Sequence, residues 1–459
     1  MRTRATWQVI VRITSATILT QRTSPSPLFQ IAVSHVCRYW RNVSLSTPSL
    51  WTAITVFPEE RPPYEFASTL LERSKDRPID IYIDCHDPHK PDCNAEPPSN
   101  ADIEFLFSLL IPHIHRWRTM ELSVLEYHHM YVFLSAVSDF VAPQLEMLKL
   151  YHHESIEEFD SFGDYNMSKH LTLFGGSAPS LTRLVLSGVP VDWNQPWITS
   201  ASNLTDLKLA FHLEFVCPSW VQFASILRGA SALEKLSLCF SGPRDSPEWL
   251  IEPTPGSPAD LDAPVQLLRV TKFTFAYHSQ ARAIGLLRKF YLPALKNLVL
   301  DFGHNGDYTE LVHELAGPTT SLSLPFVEEQ PRSLLSKLES LKIAGLPCRI
   351  KCILTLYGGL QDLTLLHLLL SYLTSFFLDI LCTPCKLAGR GDVWLPRLAT
   401  LYISGTFREQ LRELVQKRRD AGVPLSSLYV KESCELEKED VVWLKQNLKT
   451  FEYRGRRNW

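Results

Sequence analysis

Leu145-Glu146-Met147-Leu148-Lys149-Leu150 is the stretch on which the fold turns. Its pattern, Leu-x-x-Leu-x-Leu, returns as Leu181-Leu184-Leu186, Leu204-Leu207-Leu209, Leu233-Leu236-Leu238 and Leu295-Leu298-Leu300. Further copies are Leu338-Leu341-Ile343, Leu360-Leu363-Leu365, Leu398-Leu401-Ile403 and Leu425-Leu428-Val430, with weaker ones at Trp117-Met120-Leu122 and Val270-Phe273-Phe275. Pro143, Pro179, Pro293 and Pro396 each stand two residues before a first Leu. The last two positions of a copy are two apart, so on a strand they share one face. One such strand cannot bury its own leucines; copies stacked side by side can, as a parallel sheet with an apolar interior. The intervals run from 22 to 43 residues, a loose version of the ~20–29-residue leucine-rich period with insertions in loops.

From this register an α/β solenoid with a curved parallel sheet is expected, with helices such as residues 131–141 and 220–227 on the convex side. The Asn that many such repeats carry after the strand is replaced here by His153, Val189, His212 and Gly303, so irregular turns are expected. If the leucines point inward, the residues before the last two of each copy face the other way. The first such column holds Met147, Arg183, Asp206, Lys235, Lys272, Asn297, Ser340, Asp362, Thr400 and Ser427. The second holds Lys149, Val185, Lys208, Ser237, Thr274, Val299, Lys342, Thr364, Tyr402 and Tyr429. Six of these are basic and two acidic in a chain of net charge −3. An acidic or phosphorylated protein partner is therefore expected on this face, centred on Lys149, Arg183, Lys208, Lys235 and Lys272.

Ahead of the repeats, Phe29, Val33, Val36, Trp40 and Val43 are spaced by four, three, four and three, the stripe of an amphipathic helix. Ser26-Pro27 suits its start, and Thr47-Pro48 opens a short helix carrying Leu50 and Trp51. The runs Val36-Cys37-Arg38-Tyr39-Trp40 and Leu45-Ser46-Thr47-Pro48-Ser49-Leu50-Trp51 resemble the second half of the F-box-like motif of mushroom-forming fungi, a family in which divergent leucine-rich arrays follow the motif. The resemblance covers about a tenth of the chain. It implies a Skp-type adaptor of a cullin ubiquitin ligase as partner, with Val36, Trp40, Leu45, Pro48, Leu50 and Trp51 as the adaptor-binding residues. Residues 1–23 lack the Leu-Pro-x-Glu-Ile/Leu helix with which the family's motif opens. No Asp or Glu precedes Glu59, a composition that also resembles a mitochondrial transit peptide.

The expected organisation is an atypical segment (1–23), a partial, all-helical F-box-like motif (24–57), a linker with one helix (66–73) and one strand (79–83) (58–100), and the repeat array (101–459). Residues 242–264 hold six prolines and five carboxylates and read as a surface loop. Residues 409–419 and 435–448 read as helices, the second capping the array. Residues 363–381 approach the length of a membrane span, but Thr364, His367, Ser371, Thr374, Ser375 and Asp379 interrupt them, so a strand followed by a buried helix fits better.

At 459 residues, 45% hydrophobic and 21% charged, the chain has the composition of a folded soluble protein, and its net charge argues against nucleic-acid binding. Ten cysteines are too sparse for a disulfide scaffold and read as reduced thiols of a cytoplasmic or nuclear protein. Cys85, His86, His89 and Cys93 match no common zinc spacing, and Cys382-Thr383-Pro384-Cys385 lacks the thioredoxin-like setting that redox chemistry needs. No nucleophile elbow, Walker loop, dinucleotide fingerprint or His-Glu-x-x-His occurs. The expectation is a protein with no catalysis, cofactor, metal, nucleic-acid or membrane partner. It would be the substrate-recognition subunit of a ubiquitin ligase or, lacking the opening helix, a repeat scaffold that no longer assembles with one.

Overall fold

The computed structural model describes residues 28–56, 60–85, 98–153, 171–245, 264–303, 305–317, 333–369, 373, 375–385, 393–404, 410–431 and 436–454. Expectations for residues 1–27, most of 242–264 and 455–457, and for His86, His89 and Cys93, lie outside these. The chain divides into two compact units, Met1–Leu204 and Thr205–Trp459.

In the first unit, β1 (Ala53–Val56), β2 (Ile79–Asp84), β3 (Trp117–Val124), β4 (Met147–His152) and β5 (Arg183–Ser187) pair in sequence order, all parallel. The ladder thus begins at Ala53, inside the region assigned to the F-box-like motif and ahead of the assigned linker. Ile79, Ile81 and Ile83 are buried on one side of β2 while Asp80, Tyr82 and Asp84 are half-buried on the other. A strand that alternates in this way is already a rung.

The second unit holds β6 (Asp206–Ala210), β7 (Lys235–Cys239), β8 (Val265–Gln266), β9 (Lys272–Ala276), β10 (Phe290–Tyr291), β11 (Asn297–Asp301), β12 (Ser340–Gly345), β13 (Leu365–Leu369), β14 (Thr400–Ser404), β15 (Ser427–Lys431) and β16 (Thr450–Arg454). β8 and β10 pair with each other, and the other nine form one parallel ladder. Leu207, Leu236, Phe273, Leu298, Leu341, Leu366, Leu401, Leu428 and Phe451 stand opposite one another along it, which makes the leucine triplets neighbouring rungs. Each of these leucines is buried, worth about 1.5–3 kcal/mol apiece. Phe273 and Phe275 stack at 5.2 Å, and Phe290 meets Phe273 edge-on at 6.0 Å.

One register differs from expectation. The triplet of β13 is Leu363–Leu366–Leu368, all buried, in place of Leu360–Leu363–Leu365. Asp362 and Thr364 therefore leave the outward columns, and Leu365 and His367 take their places. Leucines crowd residues 360–370 so densely that two triplets overlap, and pairing with β12 and β14 selects one.

Helices link the strands. Asn100–Leu110 and Trp220–Gly229 open on capping boxes, Ser99 with Asp102 and Ser219 with Gln222. The helix expected over residues 131–141 forms over Tyr127–Ala136; the chain leaves it early, on the way to the buried Leu145, and Val141 stays exposed. The described part of residues 363–381 holds β13 and the helix Phe376–Leu381, whose Phe377, Leu378, Ile380 and Leu381 are buried. Among the described residues no helix is long and apolar enough to cross a membrane. The two helices expected near the C-terminal end form as Gln410–Asp420 and Lys438–Asn447.

The strand exits of the second unit turn through left-handed backbone at Phe211, Phe240 and Tyr277. At the turns that follow, His212, Ser241 and His278 are buried, with His212 Nδ1 2.7 Å from Ser241 Oγ. Gly345 ends β12 so close to β11 that an added Cβ would run into the backbone of Gly303. Gly345→Ala is therefore expected to destabilise this unit by about 3 kcal/mol, read as a lowered urea midpoint, whereas Gly422→Ala meets no atom and strains only its left-handed backbone.

Candidate functional site

Two surfaces answer to the residues singled out by sequence. The first is a helix pair in the first unit, α1 (Leu28–His35) and α2 (Arg38–Leu45), followed by the 3-10 turn Pro48–Trp51. The apolar stripe does not run along one helix. Cys37 is extended (φ −162°, ψ 173°), which breaks the chain before α2.

The orientation of these helices is the reverse of a core helix. Phe29 is 62% exposed, Val36 66%, Tyr39 73% and Trp40 49%, with Val43 and Leu45 also exposed. Gln30, Ser34 and Ser44 are buried. Ser34 Oγ donates to Ile31 O at 2.8 Å and Ser44 Oγ to Arg41 O at 2.9 Å, so these hydroxyls satisfy themselves on their own helices and can be covered at little cost. An apolar cluster left facing water in this way is a candidate interaction surface.

Of the six expected adaptor-binding residues, Val36, Trp40 and Leu45 are exposed, and Pro48 and Leu50 are half-buried. Trp51 is not presented at all: it is 1% exposed, its Nε1–H donates to Ser44 O at 2.8 Å, and the Arg73 guanidinium lies 4.5 Å from its ring centroid. Its role is to fasten the turn and α2 to α3 (Glu65–Ser74), the helix that carries Arg73.

The second surface is the outward side of the strands. Lys149 is engaged: its Nζ is 3.0 Å from Glu121 on the neighbouring strand, with both side chains largely covered. Arg118 and Asp80 pair beside them, Nε to Oδ1 2.9 Å. Arg183 is half-buried on β5. Lys149 and Arg183 belong to the first unit and Lys208, Lys235 and Lys272 to the second, so the five expected residues form two groups. Lys208 is half-buried, whereas Lys235 and Lys272 are exposed on adjacent strands in direct register. Among the described residues neither of these two forms an ion pair. Like charges placed opposite one another work against the sheet, while on its other side Lys235 stands in register with Asp206 of β6.

Further along the same ladder lies a group that the leucine pattern only partly disclosed. Lys342, His367, Tyr402 and Tyr429 are successive register partners on β12 to β15. Tyr402 and Tyr429 stack with centroids 4.3 Å apart and planes 7° from parallel, and His367 lies 5.5 Å from Tyr402. Burial lowers the Lys342 ammonium, with Lys272 and Lys431 acting the same way against the attraction of Asp301. Burial, Lys342 and Lys431 push the His367 imidazole down to about 4, and burial raises the Asp301 carboxyl. His367 was missed because the leucine run concealed its register; the spacing of neighbouring copies was the signal that could have found it.

The thiols offer no comparable arrangement. The eight described cysteines are free, and burial raises Cys217, Cys239, Cys348 and Cys382. No group of three His, Cys, Asp or Glu side chains among the described residues could hold a metal ion. No protein-family model matches the chain, and no curated protein matches it.

Proposed function

We propose that this chain is a non-catalytic interaction protein, the substrate-recognition subunit of a cullin-type ubiquitin ligase acting in the cytoplasm or nucleus. In this reading α1, α2 and the Pro48–Trp51 turn form the F-box-like end that docks a Skp-type adaptor. The two ladders are divergent leucine-rich repeats whose outward face holds a protein substrate. The observation that carries it is the reversed burial of α1 and α2, with Phe29, Val36, Tyr39 and Trp40 in solvent above buried Gln30, Ser34 and Ser44. A short helix pair gains nothing from that orientation unless a partner covers it. The resemblance of residues 36–51 to the F-box-like motif names the partner.

The test is co-purification of the full chain with a Skp-type adaptor. Trp40→Ala is expected to weaken capture by roughly tenfold or more with the thermal midpoint unchanged. Absence of capture by the unaltered chain would leave the repeat scaffold without ligase assembly as the better reading.

A further inference from the structure

From β7 to β15 the outward positions of the described strands carry Lys235, Lys272, Lys342 and Lys431 with Asp301 among them, and the flanking strands β6 and β16 add Asp206 and Glu452, which leaves the lysines in excess. Counted along the ladder, the lysines stand on the first, second, fourth and seventh of seven successive strands. At ~4.8 Å per strand they span ~29 Å, far more than one phosphate covers and about the reach of nine extended residues at ~3.3 Å each. Between Lys342 and Lys431 lies the stack of His367, Tyr402 and Tyr429, which supplies half-buried ring surface already fixed in place. Rigid aromatic rings are what interface centres are enriched in, with charged groups placed towards the rim.

We infer that this face of the second unit is a docking track for an extended acidic segment of a partner protein, its carboxylates meeting the four lysines while its chain crosses the tyrosine stack. Charge complementarity selects the occupant: the chain as a whole is at −3, so a positive track within it discriminates against general acidic surroundings only where a linear anion follows the lysines. The inference deepens the reading of the ladders as the substrate-holding part and specifies the class of substrate.

The probe is a fluorescein-labelled nonapeptide of alternating Glu and Ala, with alternating Lys and Ala as control, titrated into the full chain by fluorescence anisotropy. Saturable, salt-sensitive binding of the Glu peptide alone is expected. Lys342→Glu is expected to weaken it roughly tenfold, as is the exposed Lys235→Glu, which keeps the test valid should the first variant lose stability. Lys351→Glu, exposed on the helix Ile350–Gly359 and not on a strand, should leave it unchanged. Equal binding of both peptides, insensitivity to both charge reversals, or displacement by inorganic phosphate at matched ionic strength would each overturn the track. Adaptor capture is read on the same variants. Peptide binding that survives Trp40→Ala together with adaptor capture that survives Lys342→Glu separates failure of the track from failure of the ligase reading.

Discussion

Trp51→Ala is expected to lower the stability of the first unit by about 3–5 kcal/mol, while Trp40→Ala stays within about 0.5 kcal/mol of the unaltered chain. Both tryptophans are expected adaptor contacts by sequence, yet only Trp51 is enclosed. Removing its indole leaves a cavity, deletes the donor to Ser44 O and takes away the ring under Arg73. The unfastened turn should release α1 and α2 from α3, so limited proteolysis near Pro48 ought to accelerate as the urea midpoint falls. Adaptor capture would then fail through loss of structure, distinguishable from Trp40→Ala, where capture fails on an intact fold. A stable Trp51→Ala paired with an unstable Trp40→Ala would reverse the assignment of anchor and contact.

Mild acid is expected to destabilise the second unit through His278. Its imidazole is buried and held down to about 3 by that burial, with the Arg282 cation acting in the same direction. In the unfolded chain it titrates near ~6.5, so between those values the unfolded state binds the proton that the folded state refuses. The stability contributed by neutral His278 is thus complete above ~6.5 and is lost as pH falls through that window, by about 2 kcal/mol at pH ~5. His367, held down to about 4, acts in the same sense. Asp301 acts in the opposite sense: burial raises its carboxyl, so the folded state takes up that proton more readily as pH falls. The clean measurement is therefore the difference in urea midpoint between pH 7.5 and 5.0 for the unaltered chain and for His278→Asn. About 2 kcal/mol of the acid loss should vanish in the variant; an identical pH dependence would mean that His278 is not the group responsible.

The strands were legible because their signal is local. Two-residue alternation places Leu207 and Leu209, or Ile79, Ile81 and Ile83, on one face whatever lies beside them. The lysine columns followed wherever the triplet was unambiguous. They went astray at Asp362 and Thr364, where several leucines compete and the adjoining strands determine which pair turns inward. The rung at Thr450–Arg454 was not foreseen, since its inward residues are Phe451 and Tyr453.

Composition and periodicity alone determined that this chain builds parallel ladders of strands, and that a tryptophan-bearing helical segment stands ahead of them. Which side of that segment meets water was decided only in three dimensions. An apolar stripe records that a side chain prefers cover, and whether α3 or an outside partner supplies it depends on where the rest of the chain has already packed. The same reason separates Lys149, paired with Glu121 on the next strand, from Lys272, which stands in register with Lys235. Charge can be counted along a sequence, but its pairing is a property of neighbours brought together by folding.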